Sequence, residues 1–145
     1  VIFHDLKNDR TNNFDFALEE VVQFEGETGP YVQYTHARAM SILRKANHTV
    51  DTKEAFSLTD DDAWEVLKLI ENYPNVVRFA EEKCEPSAIA KFVINLAQAF
   101  NKYYAHTKVL VEDEAFNSRI ALVQTTASIL KQGLELLGVA APDEM

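Results

Sequence analysis

Apolar residues recur every three or four positions through the second half of the chain, a period that an α-helix matches and a strand does not. Ile89, Phe92, Val93, Leu96, Phe100 and Tyr103 or Tyr104 follow it after Pro86. Phe116, Ile120, Val123, Ala127, Leu130, Leu134 and Leu137 follow it again, with Gly138 and then Pro142 as stop signals. Each run lays a continuous apolar stripe along one side of a long helix, and such a stripe must be covered by another element. No period-two alternation with hairpin turns recurs in the sequence. The expected fold class is therefore all-α, a helical bundle.

A third helix is expected from Thr28-Gly29-Pro30 to about Asn47, because a proline in the first turn loses no hydrogen bond that the helix would otherwise make. Val32, Ala39, Leu43 and Ala46 form its packing side. With Tyr31 at 0°, Tyr34 falls at about 300°, Arg38 at about 340° and Lys45 at about 320° around the axis. Two phenol rings and positive charge thus share a neighbouring face. This helix and the two long ones are expected to supply most of the core.

The connecting segments are less regular. His48 to Ser57 reads as a polar linker. Thr59 is expected to cap the next helix, with Asp60, Asp61 and Asp62 near the positive end of its dipole. Trp64, Leu67 and Ile70 form its expected apolar stripe, Tyr73-Pro74 is expected to break it, and a short helix resumes through Val76, Val77 and Phe79. Val109 to Glu112 connects the two long helices. Ahead of Thr28, charged turn-like sequence precedes an expected amphipathic helix over Phe14 to Phe24.

The chain has 145 residues, enough for one domain with a real core, and 47% of them are hydrophobic. No apolar run reaches the roughly 20 residues that cross a bilayer, so no membrane is expected and the compartment is read as cytoplasmic. The single cysteine, Cys84, reads as a small, partly buried hydrophobe. His4, His36, His48 and His106 lack metal-ligand spacing and read as surface or capping residues. Gly26-Glu-Thr-Gly29 lacks the length and the lysine of a phosphate-binding loop. No catalytic residue, cofactor site or metal site is expected in this chain.

The net charge of −9 argues against a nucleic-acid partner until its distribution is considered. Residues 28–50 contain Arg38, Arg44 and Lys45 and no acid, and residues 86–111 contain Lys91, Lys102 and Lys108 and no acid. If these two helices pack together they form a local cationic strip inside an acidic chain. Rings to stack on and a guanidinium to hydrogen-bond are what unpaired bases need. Tyrosines at helical spacing more often serve core or rim packing than a binding platform, so spacing alone leaves function undecided.

Phe24-Glu-Gly-Glu-Thr-Gly-Pro-Tyr-Val-Gln-Tyr-Thr-His-Ala-Arg38, followed by Ser41-Ile-Leu-Arg-Lys-Ala46, resembles the arginyl-tRNA synthetase family at the junction of its catalytic and anticodon-binding domains. Leu96-Ala-Gln-Ala-Phe-Asn-Lys-Tyr-Tyr104 is similar to that family's central helix. Ala121-Leu-Val, Leu130, Gly133-Leu, Leu137-Gly138 and Ala141-Pro-Asp-Glu-Met145 are similar to its final helix and terminus. The resemblance implies a helical bundle over 28–145 that grips the anticodon loop of the arginine tRNA. It implies that residues 1–27 are a remnant of the catalytic domain or connecting segment. The opening at Val1, without a start methionine, is expected of a piece of a longer chain.

By the same resemblance Tyr31, Tyr34 and Arg38 match positions that face the anticodon, Tyr104 matches an aromatic on the central helix, and Met145 matches a terminal methionine beside the same bases. Asn101, one turn before Tyr104, is expected to reach a base edge, and Lys45 and Lys108 to contact phosphates. The full-length family enzyme joins arginine to its tRNA with ATP and magnesium. Its His-Ile-Gly-His and Lys-Met-Ser-Lys type motifs have no counterpart here, so this chain alone is expected to be inactive. The catalytic domain of the same enzyme is the second implied partner, and a monomer is expected. The alternative is a helical protein-interaction module that uses the acidic 51–85 surface and has no RNA role.

Overall fold

The computed structural model describes residues 1–145 apart from Phe14 and Phe16. Among the described residues all regular structure is helical: α1 (Ile2–Lys7), α2 (Leu18–Val21), α3 (Gly29–Ala46), α4 (Asp61–Lys83), α5 (Ser87–His106) and α6 (Phe116–Leu136). The all-α bundle expected from the apolar period is the fold observed.

α5 is the centre of the bundle and packs against α1, α3, α4 and α6. Its stripe is buried as the spacing dictates, with Val93, Leu96, Phe100 and Tyr103 at 0% exposure. Removing side chains of this size from water stabilises the fold by about 1.5–3 kcal/mol each. α6 lies between α3, α4 and α5 and is buried on more than one side, through Ile120, Leu122, Val123, Thr126, Leu130 and Leu134. It approaches α5 closely at Gly133, where a Cβ would run into the Cγ1 of Val93.

The turn into α3 is tightly specified. Gly26 takes a φ of +81°, and Thr28 accepts a hydrogen bond from the Tyr31 backbone N–H at 3.2 Å as the N-cap. Phe3 of α1 is 4% exposed and sits against Gly29, where an added Cβ would meet the Phe3 Cβ at 2.9 Å. Lys7 donates to the Glu27 carbonyl at 3.2 Å, so α1 is tied to the turn that leads into α3. The helix expected over Phe14 to Phe24 is confined to Leu18–Val21, because Ala17 is extended and bends follow Val22. Phe14 and Phe16 lie outside the described residues.

Other expectations are corrected in α4 and at Cys84. Asp60, not Thr59, caps α4, its carboxylate accepting from the Ala63 N–H at 3.0 Å. The buried stripe runs through Ala63 and Val66, with Leu67 and Ile70 beside it, while Trp64 is 60% exposed. Trp64 stands about 100° from Ala63 and about 160° from Val66, which turns it away from α5. Pro74 does not break the helix. It is exposed, so water can satisfy the Ile70 carbonyl that its missing N–H leaves unpaired. Cys84 is exposed rather than partly buried, because it closes α4 in the left-handed conformation with a φ of +50°.

Two stability measurements follow from the core. Gly133→Ala places a methyl against Val93, and overpacking outweighs the better helix propensity of alanine. Urea unfolding of this variant is expected to show a loss of about 1–2 kcal/mol. Tyr103 has a buried hydroxyl with no hydrogen-bond partner among the described residues, and burial pushes its phenol far above the ordinary value. Tyr103→Phe removes that unpaired group and is expected to leave stability unchanged or raise it by up to about 1 kcal/mol.

Candidate nucleic-acid interface

α3 and α5 pack side by side, which brings the two acid-free segments of the sequence together. The joint between them is Asn101, a half-buried carboxamide on α5. Its Nδ2 donates to the Tyr31 hydroxyl at 2.9 Å and to the Thr35 Oγ1 at 2.8 Å. Its Oδ1 accepts from Nη1 of Arg38 at 2.6 Å. Both amide hydrogens are thus used inside the protein, which leaves the second lone pair of Oδ1 for any partner outside it. The same carboxamide thus ties Arg38 to Tyr31 and to the buried Thr35.

Arg38 is held by more than that one bond. Its guanidinium carbon lies 4.9 Å from the centroid of the Tyr34 ring and 5.4 Å from that of Tyr104. Cation–π attraction to two rings keeps the planar cation between them. Tyr34 and Tyr104 are 40% and 39% exposed, so each keeps about two-fifths of its surface open to solvent. Phe24 meets Tyr34 edge-on, with ring centroids 6.4 Å apart and an interplanar angle of 73°.

Clefts open on both sides of this Tyr34–Arg38 pair. One, of about 400 Å³, is lined by Lys45, Tyr104, Leu110, Glu144 and Met145 as well as the pair. The other, of about 410 Å³, is lined by Phe24, Glu25, Tyr31 and Asn101 with the same pair. Lys108 borders a neighbouring depression with Tyr104 and Leu110. The structure therefore gathers Tyr31, Tyr34, Arg38, Lys45, Asn101, Tyr104 and Met145 around one pair of clefts, with Lys108 at their edge.

The loop that carries Lys108 and Leu110 is fixed by a buried cation. Arg119 of α6, 7% exposed, donates to the carbonyls of Val109 and Val111 and to the Asp113 carboxylate. Its guanidinium holds the Asp113 carboxyl below the ordinary range. Phe24 and Leu110 are among the cleft residues that sequence reasoning did not assign. Phe24 had a usable signal, an aromatic just ahead of the glycine turn, whereas Leu110 had none because its position depends on Arg119.

Charge on this surface is more selective than the sequence windows imply. Arg44 lies 3.6 Å from Glu144, and Lys102 lies 3.4 Å from Asp62. His106 bonds the same carboxylate at 2.6 Å, and this bond is the main reason Asp62 stays below the ordinary carboxyl range. Among the described residues no carboxylate lies within 4.0 Å of Arg38, Lys45 or Lys108. Of the cations beside the clefts, Arg44 is therefore paired, while Arg38, Lys45 and Lys108 have no carboxylate at that range. The histidines divide: His48 and His106 are exposed, but His36 is 1% exposed and not the surface residue expected. It faces inward because a carbonyl, that of Pro142, waits 2.9 Å from its Nδ1.

Known proteins share this sequence and arrangement. The arginine–tRNA ligase of Enterococcus faecalis is 65% identical over all 145 residues, and that of Latilactobacillus sakei is 58% identical over the same span. In both cases the chain spans about a quarter of the relative, 26% of its length. Among solved structures, Thermus thermophilus arginyl-tRNA synthetase aligns with 99% of the chain at 35% identity and a TM-score of 0.88, over 26% of its own length. Arginyl-tRNA synthetase from Plasmodium falciparum aligns with 99% of the chain at 27% identity and a TM-score of 0.90, again over 26% of its length. Residues 32–145, which hold α3 from its first turn, Asn101 and both walls of the cleft beside Tyr104, match the family described as the DALR anticodon binding domain. The chain belongs to the DALR anticodon-binding domain family.

Proposed function

We propose that this chain is the part of an arginine–tRNA ligase that grips the anticodon loop of the arginine tRNA. The observation that carries the reading is the Arg38 guanidinium held between the half-open rings of Tyr34 and Tyr104, with an open cleft on either side. A base turned out of the loop stacks on an exposed phenol face, while the fixed fork of Arg38 meets base or phosphate acceptors. Tyr31 and Asn101 keep that fork aimed, and Lys45 and Lys108 attract the adjoining phosphates. Met145 closes the cleft beside Tyr104.

Arginylation itself, driven by ATP with magnesium, belongs on this reading to the rest of a longer ligase. Among the described residues no three His, Cys, Asp or Glu side chains converge so as to hold a metal ion. The chain alone is expected to bind RNA and not to activate arginine. Residues 1–27 act as the connecting segment to the catalytic domain, residues 28–145 form the binding bundle, and the working protein is a cytoplasmic monomer. No described helix is long and apolar enough to cross a membrane.

Fluorescence titration with an anticodon stem-loop of the arginine tRNA tests the reading. Tyr34→Ala and Tyr104→Ala are each expected to weaken binding by about 1–3 kcal/mol, the worth of one base–aromatic stack. Asn101→Ala is expected to weaken it as well. Equal binding by the wild-type chain and all three variants overturns the assignment. Salt dependence separates the lysines, since Lys45→Ala is expected to lower the slope of log K against log salt by about 0.7, one single-strand phosphate contact.

A further inference from the structure

The segment 139–145 has no regular structure, yet it follows a fixed course along α3. Gln33 donates from Nε2 to the Ala140 carbonyl at 2.8 Å. His36 bonds the Pro142 carbonyl through Nδ1 at 2.9 Å, and Arg44 donates from Nη1 to the Asp143 carbonyl at 3.1 Å. The donors and the carbonyls they meet run in the same order, so the segment lies parallel to α3. It ends with Glu144 and Met145 in the wall of the cleft that holds Tyr34, Arg38 and Tyr104.

These three bonds are not equal. Gln33 and Arg44 bond at the solvent surface, where water competes for the same carbonyls. His36 is 1% exposed, and a carbonyl can only accept, so its ring carries a proton on Nδ1 and that donor is sheltered from water. Losing it leaves the Pro142 carbonyl without its sheltered donor, and it frees the segment two residues before Glu144, the first of the two that line the cleft. Arg44 has a second part to play. Its ion pair with Glu144 at 3.6 Å offsets a negative charge that the segment brings to the cleft rim.

We propose that His36 is a positioning residue, whose buried Nδ1–H latches segment 139–145 to α3 and so sets where Met145 stands in the cleft. The inference rests on the anticodon-binding reading for its consequence but not for the latch itself. His36 touches no part of the cleft. It acts on RNA only through the segment it holds.

Three variants test the latch. His36→Asn keeps a donor at the place of Nδ1, His36→Gln moves the donor one bond further out, and His36→Leu removes it. Backbone amide order parameters of Ala141, Asp143, Glu144 and Met145, measured by ¹⁵N relaxation, are expected near 0.85 in wild type and His36→Asn. They are expected to fall below about 0.6 in His36→Leu and His36→Gln, the latter keeping the comparison intact should the leucine variant unfold. Affinity for the arginine tRNA anticodon stem-loop is expected to drop about three- to tenfold with the same pattern, the worth of about one hydrogen bond. Adding Met145→Ala to His36→Gln is expected to cost nothing more, because both changes remove the same wall.

Rigid amides in both His36→Gln and His36→Leu overturn the latch, and additive losses with Met145→Ala overturn its link to the cleft. A wild-type chain with a rigid segment and no RNA affinity leaves the latch standing and removes the anticodon reading instead.

Discussion

The carboxamide of Asn101 joins packing to surface chemistry in this bundle. It projects from α5, whose apolar stripe is buried against four other helices, so its own position is set by the core. From there it holds Tyr31, Thr35 and Arg38 of α3 through bonds of 2.6–2.9 Å. A long flexible cation would otherwise sample many rotamers and lose entropy on meeting a ligand. Here the guanidinium is already fixed between two rings before anything binds. The hydrophobic period of α5 is thus what orders Arg38, by way of one amide.

Electrostatics then decide where on an acidic chain an anion can approach. Acids and bases are segregated along the sequence, but the fold refines that segregation by pairing. Arg44 and Lys102 are matched with Glu144 and Asp62, which leaves Arg38, Lys45 and Lys108 as the cations beside the clefts without a carboxylate within 4.0 Å among the described residues. A small set of uncompensated charges gives modest affinity from phosphates alone. Most of the discrimination on this reading comes from the rings and the Arg38 fork, which meet bases at short range.

Much of this was legible before any coordinates. The three- and four-residue spacing of Ile89 to Phe100 specified α5, and the Thr28-Gly29-Pro30 turn specified where α3 begins. The helical wheel placed Tyr31, Tyr34 and Arg38 together because a regular helix fixes relative angles. Pro74 misled because a proline on a solvent-facing turn costs one hydrogen bond that water can replace, whereas the rule for breaking assumes no replacement. Trp64 misled because size was read as burial, while Ala63 and Val66 hold the side that faces α5. Asn101 and His36 show the deeper limit. Their partners lie 63–70 and 106 residues away in sequence, so their roles as orienting groups exist only once α3 meets α5 and the segment after α6.

The most direct test is an NMR titration of the isotopically labelled chain with the anticodon stem-loop of the arginine tRNA. Saturable shifts are expected at Tyr34, Arg38, Asn101, Tyr104 and Met145, with the acidic surface of residues 51–85 unmoved. A stem-loop of equal length and charge carrying an unrelated anticodon is expected to bind more weakly on the same face. Shifts confined to residues 51–85, or equal binding of the two stem-loops, would contradict the account.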